Sequence, residues 1–139
     1  MDQTCSTCIW KRINNGCNEM TNPFRDQEKF MKACDQTVGG EFDEDQFNLY
    51  VSLIEEESGE LAEAIAAHDQ VETLDALIDI LVVTIGAIHS MGSDAEGAWK
   101  EVMSTNFAKI GEDGKVRKRE DGKVLKPVGW VPPNLTKFI

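Results

Sequence analysis

No apolar run in this 139-residue chain reaches the roughly 20 residues that a membrane-spanning helix needs. The nearest, ALIDILVVTIGAI at 76–88, is short and carries Asp79, which excludes a bilayer span and predicts instead a helix buried on most of its circumference. Basic residues are scarce. There are 14 Lys and Arg against 25 Asp and Glu, a net charge of −11, so phosphate backbones and anionic membrane surfaces would be repelled and no general nucleic-acid or membrane role is expected. The N-terminus, MDQTCSTCIW, lacks the basic stretch and apolar core of a signal peptide. A cytoplasmic setting is therefore expected, in which the four cysteines are thiols or metal ligands rather than disulfides. Paired cysteines are also few: Cys5 and Cys8 form one knuckle, with Cys17 and Cys34 further on, where a complete zinc signature carries two knuckles. An arm of free thiols is the preferred reading, with a zinc site as the alternative.

What remains is an ordinary globular composition, 41% hydrophobic and 28% charged, in a length that suits one domain with a substantial core. Three segments are expected: an N-terminal Cys-containing arm at 1–21, a helical core at 22–111, and a basic hairpin with a strap at 112–139. Asn22-Pro23 reads as an N-cap and first helical residue, opening a helix over FRDQEKFMKAC. Asp43 with Gln46 resembles a capping box and opens a second helix from Glu44 to Ala67. A third runs from Val71 to Ser90. A second box, Ser93 with Glu96, opens a fourth that ends at Ile110 with Gly111 as its cap. The tail repeats Glu-Asp-Gly-Lys-Val at 112–116 and 120–124, and Asp121-Gly122 between short β-prone runs predicts a hairpin. PVGWVPPNL then reads as an extended strap anchored by Trp130. The fold class is all-α, a four-helix bundle with a small C-terminal β-hairpin and strap.

Two helices point carboxylates toward their apolar sides. On the second, Glu56, Glu57, Glu60 and Glu63 share an arc of about 120°; Glu57 falls within the face formed by Phe47, Tyr50, Leu53, Ile54, Leu61 and Ile65, whereas Glu55 and Glu63 read as solvated surface. On the third, Glu72, Asp75 and Asp79 lie within about 60° of one another, with Gly86 on the same face leaving room for a close approach. An ionised carboxylate left unpaired in an apolar interior is costly, so it must neutralise, pair or bind a cation. Neither helix carries a lysine or arginine. Hard oxygen donors in this number suit Mg²⁺ or Mn²⁺ rather than zinc, and such an ion suits phosphate chemistry. On the fourth helix Asn106 and Lys109 are candidate phosphate or base contacts. Seven of the 14 basic residues lie between Lys109 and Lys126, and Lys123 and Lys126 are candidates for the same anion. An acidic surface of this chain or of a second copy is an equal alternative for the basic segment.

Glu56-Glu57-x-x-Glu60, followed on the next helix by an acidic pair ending in Asp79, resembles the MazG-like all-α nucleoside triphosphate pyrophosphohydrolases, a superfamily that includes dimeric dUTPases and phosphoribosyl-ATP pyrophosphohydrolases. The segment STNFAKIGEDGKVRKREDGKVLKPVGWVPP is similar to the tail of the phosphoribosyl-ATP-pyrophosphohydrolase-like branch, so the resemblance covers roughly Phe24 to Leu135. It implies Mg²⁺-dependent cleavage between the α and β phosphates, and a homodimer or dimer of dimers with sites completed across subunits. By position, Glu57, Glu60 and Asp79 would be metal ligands. Glu56 would be a ligand or the general base that orients the attacking water. The family usually has Glu-x-x-Asp on the later helix, and here Ala76 stands three before Asp79. Asp75 is the preferred substitute, with Glu72 as the alternative. A helical dimer that binds a nucleotide without turnover, and an interaction scaffold docking through the basic tail, are the competing readings.

Overall fold

Each helix begins where a short polar side chain can accept from an amide that has no partner inside the helix. The computed structural model describes residues 22–139, so the arm at 1–21, with Cys5, Cys8 and Cys17, lies outside the described residues. Asn22 Oδ1 accepts from the amides of Phe24 and Arg25 at 2.9 and 3.4 Å and starts α1, Pro23–Ala33. Asp43 accepts from Gln46 at 3.0 Å and starts α2, Glu44–Ala66. The reciprocal half of that capping box does not form. Gln46 instead spends its amide on Thr37 O at 2.7 Å and Ser90 Oγ at 2.8 Å, tying the start of α2 to the end of the next helix. Asp69 accepts from Val71 and Glu72, both at 3.1 Å, and starts α3, Gln70–Ser90. The three-residue connection that leaves α2 turns back through His68 at φ 54°, so α2 and α3 form an antiparallel helical hairpin.

The fourth cap falls one residue later than the sequence reading placed it. Asp94, not Ser93, accepts from Gly97 at 3.0 Å and opens α4, Ala95–Phe107. Asp94 is held at the boundary because its own amide is already bonded to Phe138 O at 2.8 Å. Glu96, freed from capping, reaches Arg25 on α1 at 3.1 Å. A 3₁₀ turn at Thr136–Phe138 closes the chain.

α3 is the hub, touching α1, α2 and α4, with its longest contact along α2. Met31 from α1, Tyr50 from α2, and Val83 and Ala87 from α3 form the buried core, backed by Val38, Phe47, Leu53 and Ile54. Burying a side chain such as Met31, which is fully enclosed, contributes about 1.5–3 kcal/mol. Gly86 makes this packing possible: a Cβ there would lie 2.3 Å from the Tyr50 ring. Buried His89 bonds through Nε2 to Phe24 O at 2.8 Å and pins α1 to the far end of α3.

The structure corrects three expectations. First, the C-terminal β-hairpin is not formed; no strand is present among the described residues. Single bridges join Ile110 to Val116 and Lys118 to Val124. Gly114 and Gly122, at φ 74° and 86°, close the two turns, but pairing past each stops at one bridge, and Arg119 bonded across the second turn to Lys123 O sets like charges opposite each other, which opposes a ladder. Second, α4 ends at Phe107, because Ile110 is drawn into its bridge and Gly111 bonds to Lys115 O at 2.8 Å rather than capping the helix. Third, the 76–88 stretch is not enclosed on most of its circumference. Ala76, Val83, Ile85, Gly86 and Ala87 face inward, whereas Leu77, Ile78 and Leu81 are about half exposed, and Val71 and Leu74 more so. Among the described residues no helix is long and apolar enough to cross a membrane.

Candidate carboxylate metal centre

The antiparallel turn sets the second half of α2 against the first half of α3, so the two acidic stripes meet. Small residues form the seam: Ala64 and Ala76 are buried at 8% and 4% exposure, which lets the helices approach and brings the longer acids on either side into one field. Glu60, Glu63, Asp69, Glu72 and Asp75 line an open groove of about 340 Å³ whose apolar lining is Ala64, Ala67 and Ala76. Glu57 lies deeper. It is half-buried, as is Asp79, while Glu56, Glu60 and Asp75 are exposed.

Glu57 carries the strongest electrostatic signature of the site. Its Oε2 is buried and has no hydrogen-bond partner. Desolvation raises its pKa above the ordinary carboxylate value, and the charges of Glu60, Asp79, Glu56 and Asp75 raise it further, in that order. Glu57 thus feels four further carboxylates across the α2–α3 seam, and among the described residues no ion pair reaches them: Arg25, Lys32, Arg117 and Arg119 pair with Glu96, Glu28, Asp113 and Asp121. Among the described residues no three acidic, histidine or cysteine groups are drawn together at metal-ligand spacing. A buried, orphaned oxygen among oxygen-only donors, with no basic side chain to neutralise them, fits a hard divalent cation and does not fit zinc.

The proposed ligands Glu57, Glu60, Asp75 and Asp79, with Glu56, therefore fall in one region. The second set of candidates forms its own group. Lys109 Nζ donates to Asn106 Oδ1 at 3.0 Å, and both Lys109 and Lys126 lie over the Trp130 ring, at 5.1 and 4.9 Å from its centroid. Asn106 is exposed rather than facing a core. Lys123 contributes its backbone amide to Asp121 at 3.1 Å, closing the second turn of the tail. Among the described residues no hydrogen bond or ion pair joins this cationic group to the α2–α3 carboxylates of the same chain. Two features were not taken from the sequence. Asp69 and Glu63 line the groove, although both read there as connection and solvated surface; the capping position of Asp69 before Val71 was the available signal. Trp130 gathers two lysines, for which the only hint is Lys126 four residues before it.

Set beside known proteins, residues 24–106 match the model of a family described as phosphoribosyl-ATP pyrophosphohydrolase. The match covers α1 through nearly all of α4, including both acidic stripes. No curated protein matches the chain.

Proposed function

The chain belongs to the phosphoribosyl-ATP pyrophosphohydrolase family, and from that premise we propose a Mg²⁺-dependent pyrophosphohydrolase that cleaves common or modified (d)NTPs to (d)NMP and pyrophosphate. Membership makes the chain a nucleotide pyrophosphohydrolase, a hydrolase acting on a phosphorus anhydride. The finer reading rests on one observation, the unpartnered Glu57 Oε2 inside a field of four further carboxylates. Glu57, Glu60, Asp79 and Asp75 are the residues that would hold Mg²⁺, with Mn²⁺ as a substitute. Bound there, the ion would polarise phosphate oxygens and lower the pKa of a water. Glu56, exposed beside the site, would act as the general base. A water oxygen adds to the α-phosphorus, the bond to the bridging oxygen breaks, Glu56 takes the water proton, and pyrophosphate leaves. Asn106, Lys109, Lys123 and Lys126 supply contacts to the substrate.

The half-exposed stripe of Val71, Leu74, Leu77, Ile78 and Leu81 supports a homo-oligomer, a dimer or a pair of dimers, because contiguous apolar surface of this kind marks association faces. A cytoplasmic house-cleaning or pool-adjusting role completes the reading. The test is a screen of common and modified (d)NTPs with Mg²⁺ and with Mn²⁺, reading pyrophosphate and nucleoside monophosphate together. Equal release of both is expected, and release of orthophosphate alone would overturn the assigned bond. One observation favours a nucleotide sensor without turnover: Ala76 occupies a buried, inward position where a glutamate is expected. Calorimetric binding of a triphosphate with no turnover of any member of the screen would establish that alternative.

A further inference from the structure

Trp130 makes more contacts than a simple anchor of the strap needs. The strap enters through a turn in which Trp130 N bonds to Pro127 O at 3.1 Å. The indole Nε1–H then donates to Thr105 O at 2.7 Å. That carbonyl belongs to the last turn of α4, where backbone acceptors lack helical partners, so the ring is fixed against the end of the helix that carries Asn106 and Lys109. Those two contacts suffice to hold the strap. Yet the ring also receives two ammonium groups, Lys109 at 5.1 Å and Lys126 at 4.9 Å from its centroid, so the two nitrogens stand no more than about 10 Å apart.

Like charges in that arrangement repel. Attraction to the negative face of an indole offsets only part of the repulsion. Neither lysine forms an ion pair among the described residues, in a chain with 25 acidic residues. Lys109 is further oriented by Asn106 Oδ1 at 3.0 Å, which leaves its remaining N–H bonds to point elsewhere. The missing counter-charge is an anion able to meet both ammonium groups, and a polyphosphate has the several negative oxygens this requires.

We propose that Trp130 is a positioning residue which sets Lys109 and Lys126 as the two arms of a polyphosphate clamp at the end of α4. The clamp rests on the nucleotide reading given above, and it lies beyond the residues matched by the family, which end at 106. Its role is affinity: the ring holds the ammonium groups in place before the anion arrives, which lowers the ordering cost of binding.

The test has two parts. In the first, inorganic tripolyphosphate is titrated into the full-length protein while the indole N–H resonances are followed; there are three tryptophans, and that of Trp130 is identified by its loss in Trp130→Phe. The Trp130 resonance is expected to shift saturably, and to lose that shift in Lys126→Gln. In the second, triphosphate hydrolysis is measured in Trp130→Leu and Trp130→Phe. Trp130→Leu is expected to raise KM about tenfold, equivalent to about 1.4 kcal/mol, with kcat changed far less. Trp130→Phe keeps a ring face and is expected to recover most of that loss, which an anchoring role through Nε1–H would not allow. An unmoved Trp130 resonance, or equal KM in the leucine and phenylalanine variants, overturns the clamp. If Trp130→Leu does not fold, Lys126→Gln and the titration decide. If the wild type turns over no triphosphate, the enzymatic reading fails while the titration still decides the clamp.

Discussion

Replacing Gly86 with alanine is a test in which two opposing effects differ in sign. In an unobstructed helix, glycine to alanine stabilises by about 1 kcal/mol, because alanine loses less backbone entropy on folding. Here the new Cβ would stand 2.3, 2.5 and 2.6 Å from three atoms of the Tyr50 ring, whereas carbon atoms rest comfortably at about 3.5–4.0 Å. The ring must retreat by more than about 1 Å, but Tyr50 is only 5% exposed and packs on Met31, which has no exposure. Overpacking of this kind costs about 1–3 kcal/mol. Moving the ring also endangers the Tyr50 hydroxyl bond to Gln36, worth about 1 kcal/mol net. The balance is a destabilisation of about 1–3 kcal/mol, read as a lower urea midpoint at unchanged slope. Trimming the ring in Tyr50→Leu should remove most of that penalty, giving a coupling of at least about 1 kcal/mol. Because the same contact sets the distance between α2 and α3, Gly86→Ala should also weaken stabilisation by Mg²⁺. A Gly86→Ala protein more stable than wild type would refute the packing argument.

Two further outcomes follow from the acidic seam. Desolvation, then the charges of Glu60, Asp79, Glu56 and Asp75, raise the Glu57 pKa above its ordinary 4.5. Folding therefore favours the protonated form, and its contribution is fully present below the unfolded value and lost as pH rises through the folded one. In EDTA the wild type should lose Tm relative to Glu57→Gln as pH rises from about 4.5, and saturating Mg²⁺ should reverse the difference; parallel curves would contradict the assignment. Asp75→Asn should weaken Mg²⁺ affinity by about tenfold or more, the scale on which supporting groups act at metal sites, while Glu72→Gln should change it little. Calorimetry giving the opposite order would hand the remaining ligand position to Glu72.

Local chemistry made much of the fold readable. Asn22-Pro23 and Asp43 announced their helices because capping is satisfied within three residues. Asp94 displaced Ser93 because Phe138, more than forty residues away in sequence, takes its amide, and no local pattern contains that partner. The tail failed as a hairpin for a related reason: Asp121-Gly122 fixes a turn, but a ladder needs successive pairs that the cationic run does not sustain. The apolar stripe on α3 was legible as apolar and not as half exposed, since hydrophobic periodicity says what must be covered without naming the cover. At the candidate site, the approach of Glu60 and Asp79 to Glu57 could be anticipated from their phase on a helical wheel. The gathering of Lys109 and Lys126 at Trp130 could not, because it depends on the path of the strap rather than on any repeat.

The central claim is that acids from α2 and α3 together hold a divalent cation for pyrophosphate release. Its most direct measurement is Mg²⁺-dependent pyrophosphate release by wild type and Asp79→Asn side by side, with circular dichroism on the same samples. A loss of at least about a hundredfold, corresponding to about 2.7 kcal/mol of transition-state stabilisation, is expected with helix content unchanged. Undiminished Mg²⁺-dependent release from Asp79→Asn would contradict it.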